Sequence, residues 1–169
     1  PNIARTLTSL GHYTHSVLDD GLAVHLYTDC SLETNVAGTK LSFAMKTDYP
    51  WDGKVSVEIN PANATTFTLR LRLPGWCDSP TASVNGEPVD IAAHDRHGYL
   101  HLDREWQAGD VVTLDFPMTV QRIRAHPHVY HDIGSVALQR GPLVLCVEEI
   151  DNGDQLGLLR LPKTAQFTE

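Results

Sequence analysis

Three groups of side chains in this sequence have the residue types and spacing to do chemistry. The run His126-Pro127-His128-Val129-Tyr130-His131 places three of the chain's nine histidines within six residues. On a strand, His126 and His128 would share a face, as pairs of metal ligands often do. A metal site also needs a third or fourth ligand and groups that orient the rings, and none is visible nearby. The plainer reading is a loop of polar rings. The second group, His97, Tyr99 and His101, alternates along a stretch of strand periodicity and would share one face. Aromatic faces of that kind stack on sugars, so these three are candidate sugar-contact residues, weighed against an ordinary exposed strand face. The third group is the neighbouring carboxylates Asp19-Asp20, Glu148-Glu149 and Asp151 with Asp154. Hydrolysis of a glycoside needs two such groups facing one another across a cleft, which adjacency in sequence does not supply. They read as solvated turn charges.

No nucleophile elbow, phosphate-binding loop, zinc-protease helix or dinucleotide fingerprint is present. Cys30, Cys77 and Cys146 are odd in number, far apart and without a Cys-x-x-Cys pair. A disulfide framework is therefore not expected, and a reducing compartment, the cytoplasm, is. The triplet Asn63-Ala64-Thr65 is a glycosylation sequon of the kind that arises by chance. Residue chemistry alone gives no catalytic residue and no cofactor or metal site in this chain.

The elements that would position these groups follow from periodicity. The chain has 169 residues, 41% apolar and 20% charged, with a formal charge of −8. It is long enough for one domain or two small β domains, and its composition is that of a core-forming chain. The negative balance argues against a nucleic-acid partner, which needs a basic patch. No apolar run approaches the ~20 residues of a membrane span, so no membrane partner is expected. Ile3, Leu7 and Leu10 recur at helical spacing up to Gly11. A helix this short does not hold itself together in water, so it is expected to lean on a larger helical body.

After Asp19-Asp20-Gly21 the period changes to two. Leu22, Val24 and Leu26 alternate with Ala23, His25 and Tyr27, and similar runs cover 40–46, 54–59, 66–73, 99–102 and 112–116. One face buried and one wet is the pattern of antiparallel sheets packed as a sandwich. Turns are expected at Trp51-Asp52-Gly53, Asn85-Gly86, His97-Gly98 and Ala108-Gly109-Asp110. Trp51, Trp76 and Trp106 are expected to be buried edge residues closing the sandwich. Beyond Pro117 the pattern loosens, with candidate strands at 120–124, 136–140 and 143–147. The fold class is therefore mainly β, an antiparallel, jelly-roll-like sandwich preceded by one short helix. The expected division is 1–16 for the helix, 17–118 for the sandwich, and 119–169 for a second β module or an extension of the first.

Several strings, in order, carry a resemblance: Pro1-Asn2-Ile3-Ala4-Arg5, Thr8-Ser9-Leu10-Gly11, Tyr49-Pro50-Trp51-Asp52-Gly53, Leu73-Pro74-Gly75-Trp76-Cys77 and Val84-Asn85-Gly86. Gly98-Tyr99-Leu100, Trp106-Gln107-Ala108-Gly109-Asp110 and Gln139-Arg140-Gly141-Pro142-Leu143-Val144 continue it. The chain resembles the C-terminal third or so of glycoside hydrolase family 127, the β-L-arabinofuranosidase family of bacterial carbohydrate metabolism. The resemblance implies an (α/α)6-barrel catalytic domain followed by β-sandwiches, and retaining hydrolysis of terminal β-L-arabinofuranosides. It also implies a zinc ion held by cysteines and a glutamate, which supports a cysteine nucleophile, with another glutamate as acid/base. A thiolate on zinc is already deprotonated, so it can replace the usual carboxylate.

In that family a Cys-Cys pair lies immediately ahead of the Pro-Asn-Ile-Ala-Arg run, so the resemblance puts the catalytic pair outside this chain. Cys30, Cys77 and Cys146 do not correspond to it, and Cys77 is implied to pack beside Trp76. Residues 1–14 are implied to be a barrel helix, and the sandwich to buttress the barrel. The implied partners are that barrel and, secondarily, a second copy in a homodimer. The alternative reading is an independent carbohydrate-binding or dimerising module.

Overall fold

A computed structural model describes residues 2–167. Pro1 of the expected helix and positions 168–169 of the expected second module lie outside the described residues. The chain divides into two compact units, Pro1–Pro117 and Met118–Glu169.

In the first unit α1 (Asn2–Ser9) and α2 (Gly11–Thr14) are followed by β1 (His15–Leu18), β2 (Gly21–Val24), β3 (Cys30–Val36) and β4 (Thr39–Thr47). Next come β5 (Lys54–Pro61), β6 (Thr65–Arg72), β7 (Thr81–Val84), β8 (Glu87–Pro88) and the single turn α3 (Ile91–His94). The unit ends with β9 (Asp95–Arg96), β10 (Tyr99–Trp106) and β11 (Asp110–Asp115). These strands form two sheets, β1-β2-β6-β10-β9 and β3-β4-β5-β11-β7-β8. All pairings are antiparallel except β2 with β6, which run parallel.

The alternation in the sequence becomes the core. Leu22, Val24, Leu69, Leu71 and Leu100 of the first sheet pack in one cluster with Phe43, Val57, Ile59, Val112 and Leu114 of the second. Each such side chain withdrawn from water contributes roughly 1.5–3 kcal/mol, which offsets the conformational entropy of ordering the strands. Trp106 sits fully buried in this core, its indole N–H donating to the Phe67 carbonyl at 3.0 Å. The rest of the Trp106-Gln107-Ala108-Gly109-Asp110 string closes the β10–β11 turn. The Asp110 carboxylate accepts from the Gln107 N–H and the Asn85 side-chain amide, both at 2.8 Å, and Gly109 takes φ +87°. That string is therefore turn and core chemistry.

The hairpin signals read in the sequence hold. Asn85-Gly86 and His97-Gly98 have positive φ at both positions, as a two-residue hairpin turn requires. Ala37-Gly38 does the same between β3 and β4. The expected single helix is broken at Leu10, and Gly11 opens the short α2 instead of ending α1. Trp51 departs most from expectation: it is not a buried edge residue but is 71% exposed. In its place Tyr49 packs edge-on against Tyr27, their rings 5.8 Å apart, and Tyr27 contacts Phe116.

The second unit holds β12 (Val120–Ile123), β13 (Ala137–Arg140) and β14 (Leu143–Leu145) in one antiparallel sheet, then α4 (Glu149–Asn152). Every fully buried hydrophobic residue among the described ones lies at or before Phe116. The second unit instead exposes Ile133, Val144, Ile150 and Leu158.

Candidate functional site

The outer face of the first sheet carries two of the three candidate sugar-contact residues. Tyr99 and His101 lie on the outward side of β10, because Leu100 and Leu102 between them point into the core. His97 is not on that strand. It is the first residue of the β9–β10 turn, at φ +55°, since the two-residue turn needs left-handed backbone there. Nor is the Tyr99 hydroxyl free: it pairs with His25 Nδ1 at 2.8 Å, and His25 Nε2 pairs with the Ser16 hydroxyl at 2.9 Å. This chain of contacts ties β10 to the end of β2 and to β1. It thereby fixes the strand that α1 and α2 lead into.

Beside it, Arg70 donates to Asp20 at 2.6 Å and holds that carboxyl below its ordinary range. Its other terminal nitrogen, Nη1, is buried without a hydrogen-bond partner. His101 lies opposite Arg70 on the neighbouring strand. Partial burial, then Arg70 and Arg96, push the His101 pKa down against the opposing pull of Asp20 and Asp95. His15 is lowered as well, by burial and by the nearby rings of His25 and His12. The folded chain therefore binds protons at these two sites more weakly than the unfolded chain. The resulting stability is complete above the ordinary histidine value of about 6.5 and is lost as pH falls through the lower folded-state values. Urea midpoints are expected to fall between pH 7.5 and 5.5, and a His15→Asn/His101→Asn variant is expected to flatten that fall.

The histidine run of the second unit is a loop following β12 that enters a 3-10 turn at Tyr130–Asp132, not a strand, so His126 and His128 do not share a strand face. The His128 backbone N–H donates to His126 Nδ1 at 3.2 Å, and the two rings meet edge-on at 4.8 Å. Among the described residues, no group of three or more His, Cys, Asp or Glu is arranged to hold a metal ion. None of the three cysteines belongs to such a group. Burial pushes the Cys30 and Cys77 thiols up, away from the thiolate, and Cys146 lies in the other unit. Trp76 and Cys77 each pack against the sandwich core, with Trp76 edge-on to Phe116. The carboxylates Asp19 and Asp20 form the β1–β2 turn, and Glu148 to Asp151 surround the start of α4.

A concavity lies on the outer face of the second sheet, where no residue was a candidate from sequence. It has a volume of about 1040 Å³. Its floor is set by register: Lys46 pairs with Ser56, Ser56 with Thr113, and Thr113 with Ser83. Three consecutive small hydroxyl side chains across three strands leave a trough between larger neighbours. Asp48 and Asp52, from the β4–β5 connection, and Lys54, the first residue of β5, also line it. Only the alternation of Ser56 and Thr113 with buried residues was readable beforehand. That they stand side by side is a matter of pairing register.

Comparison with known proteins finds matches along almost the whole chain. The sequence model described as "Beta-L-arabinofuranosidase, GH127 middle domain" matches residues 21–118, and "Glycoside hydrolase family 127 C-terminal domain" matches residues 120–168. The chain is 37% identical over 166 residues to the non-reducing end β-L-arabinofuranosidase of Bifidobacterium longum subsp. longum, covering 95% of this chain and 24% of that protein. Its fold matches Ara127N-Se, a GH127 β-L-arabinofuranosidase from Geobacillus stearothermophilus T6. The TM-score is 0.94 and the identity 48%, covering 98% of this chain and 26% of that one. The GH127 β-arabinofuranosidase BT3674 is similar at a TM-score of 0.81 and 34% identity, covering 89% and 26% of the two chains. This chain thus spans about a quarter of the length of these relatives.

Proposed function

This chain belongs to glycoside hydrolase family 127, through its middle and C-terminal domains, and from that premise we propose that it is the non-catalytic β region of a β-L-arabinofuranosidase-type enzyme. In this reading the catalytic residues, and the zinc and cysteine chemistry the family resemblance implies, belong to a helical domain that these 169 residues do not contain. The sandwich supports that domain along one flank.

The observation that carries the reading is α1. None of its residues is buried, and Ile3 and Leu7 are 79% and 67% exposed on one face. An isolated eight-residue helix with a bare apolar stripe is unstable in water, and the stripe is the face such a helix normally packs against others. The Tyr99–His25–Ser16 contacts hold the strand beyond α2, so the sandwich presents this helix from a fixed base. The uncovered Ile133, Val144 and Ile150 of the second unit are a further apolar surface that a larger assembly would cover.

The test is an assay of the 169-residue chain on a chromogenic β-L-arabinofuranoside, with added zinc and a thiol reductant. No turnover above the blank is expected, and turnover would overturn the reading. A second arm uses Leu7→Glu. Because Leu7 is exposed, the melting temperature of this chain should not move. In a protein joining this region to a helical catalytic domain it should drop by several degrees. An equal response in both would argue that α1 docks on nothing.

A further inference from the structure

We propose that the basic cavity of the second unit, walled by Arg122, Arg124, His126 and Lys163, binds a small ligand through one anionic group, a carboxylate or a phosphate. The site lies wholly within that unit, and the proposal does not rest on the supporting role argued above.

The first support is charge. The chain as a whole carries −8, yet Arg122, Arg124 and Lys163 line this cavity with Asp132 as its one carboxylate. Among the described residues, Arg124 and Lys163 form no ion pair, and the pair that does form, Arg70 with Asp20, lies in the other unit. Gathering like charges around a concave surface costs free energy and focuses a positive potential there. An anion relieves that repulsion, and nothing in the composition of the chain would otherwise collect three cations at one place.

The second support is how the donors are held. Arg122 is half-buried on β12; its Nη2 donates to the Ala165 carbonyl at 2.9 Å, and its guanidinium lies over the Phe167 ring at 5.2 Å. These contacts fix the guanidinium and tie down the closing stretch of the chain, in which Lys163 stands two residues before Ala165. Arg124 follows Arg122 by two residues and lines the same cavity. Another wall is the loop after β12, which is built of backbone turns. The Val129 N–H donates to the His126 carbonyl at 2.8 Å, Asp132 to Val129 at 3.1 Å and Ser135 to Asp132 at 3.0 Å. His126 Nδ1 accepts the His128 N–H at 3.2 Å, so the proton of the neutral ring sits on Nε2, which is then a donor. Arginine forks pair with two oxygens of a carboxylate or phosphate, and lysine and imidazole N–H groups add single donors. Asp132 and Ser135 are the remaining polar side chains of the lining. A neutral polyol, which needs acceptors as well as donors, is therefore matched less well than an anion. The volume of about 500 Å³ admits a sugar-sized molecule bearing one such group.

The experiment titrates the 169-residue chain with inorganic phosphate, with glucuronate and with the neutral sugar arabinose, at an ionic strength held constant with sodium chloride. Backbone amide chemical shifts are followed. Saturable shifts at Arg124, His126, Ser135 and Lys163 are expected with phosphate, glucuronate or both, and none with arabinose. The double variant Arg124→Gln/Lys163→Gln is expected to weaken binding about tenfold or more, the scale of one lost charge-assisted hydrogen bond. Asp132→Asn removes the one opposing carboxylate and is expected to tighten binding about threefold. All three positions are exposed, so circular dichroism melts of the variants should superimpose on that of the parent chain.

Shifts that fail to saturate by tens of millimolar anion overturn the proposal. So do an unchanged affinity in the double variant, the same shifts with arabinose, or shifts confined to residues outside the cavity. Saturation with phosphate alone upholds a site for a tetrahedral oxyanion, and saturation with glucuronate alone upholds one for a sugar acid. The assay of the previous subsection reads turnover and not binding, so the two proposals can fail separately.

Discussion

Gly21→Ala should cost the sandwich about 3–5 kcal/mol, enough to lower its melting midpoint by ~10–20 °C or leave it unfolded. Gly21 opens β2 at its parallel pairing with β6, directly opposite Thr68. A methyl group built there would lie 1.9 Å from the Thr68 carbonyl oxygen and 2.8 Å from its carbonyl carbon. Both are backbone atoms, so no rotamer change can relieve the clash; the two strands would have to separate. The adjoining Thr68 N–H to Asp20 carbonyl bond, at 2.9 Å, and the Asp20–Arg70 pair would be lost with them. The control is Gly75→Ala, where an added Cβ meets nothing within 4 Å; there the change should stay within about 0.5 kcal/mol. Chemical denaturation of the two variants decides the matter. A folded Gly21→Ala chain with an unchanged midpoint would show that the β2–β6 approach is not as close as described.

Trp106→Ala should be comparably severe, at about 3–5 kcal/mol, because the largest fully buried side chain is replaced by a cavity that strands of two sheets cannot collapse to fill. The ring contributes in three ways. It packs on Phe67 with centroids 5.8 Å apart, it lies under the Arg104 guanidinium at 5.1 Å, and its N–H bonds the Phe67 carbonyl. Trp106→Phe separates these. It keeps most of the apolar volume and removes the hydrogen bond, so about 1–2 kcal/mol is expected. If Trp106→Phe proved as damaging as Trp106→Ala, the hydrogen bond rather than the packing would dominate. Equilibrium unfolding followed by circular dichroism measures both.

These sites differ in how far they could be read from sequence. Trp106 stood out as a large aromatic at the end of an alternating run, and its burial follows directly. Gly21 was readable only as a turn glycine. Its decisive neighbour, Thr68, lies far along the chain and reaches it through a parallel pairing that no local signal announces. Strands β1, β3 and β7 were weak in the sequence for a related reason. β3 alternates through Leu32, Thr34 and Val36, with a polar residue holding one of the inward positions, so its pattern is faint without a partner strand. The three tryptophans looked alike locally, each beside turn residues. One proved central, one partly buried and one exposed, because which side of a turn faces the core depends on the sheets it joins.

By itself the sequence determined the all-β class, the positions of most strands and hairpins, and the family, because alternation, turn chemistry and ordered motifs are local properties of the chain. Pairing decided the rest. The register across β4, β5, β11 and β7 set Ser56, Thr113 and Ser83 side by side. The close approach of β2 to β6 made Gly21 irreplaceable. The two-residue turn before β10 removed His97 from the face it was expected to share with Tyr99 and His101. Contacts between residues distant in sequence have no local signature, so the outer faces of the sandwich became visible only once the strands were laid beside one another.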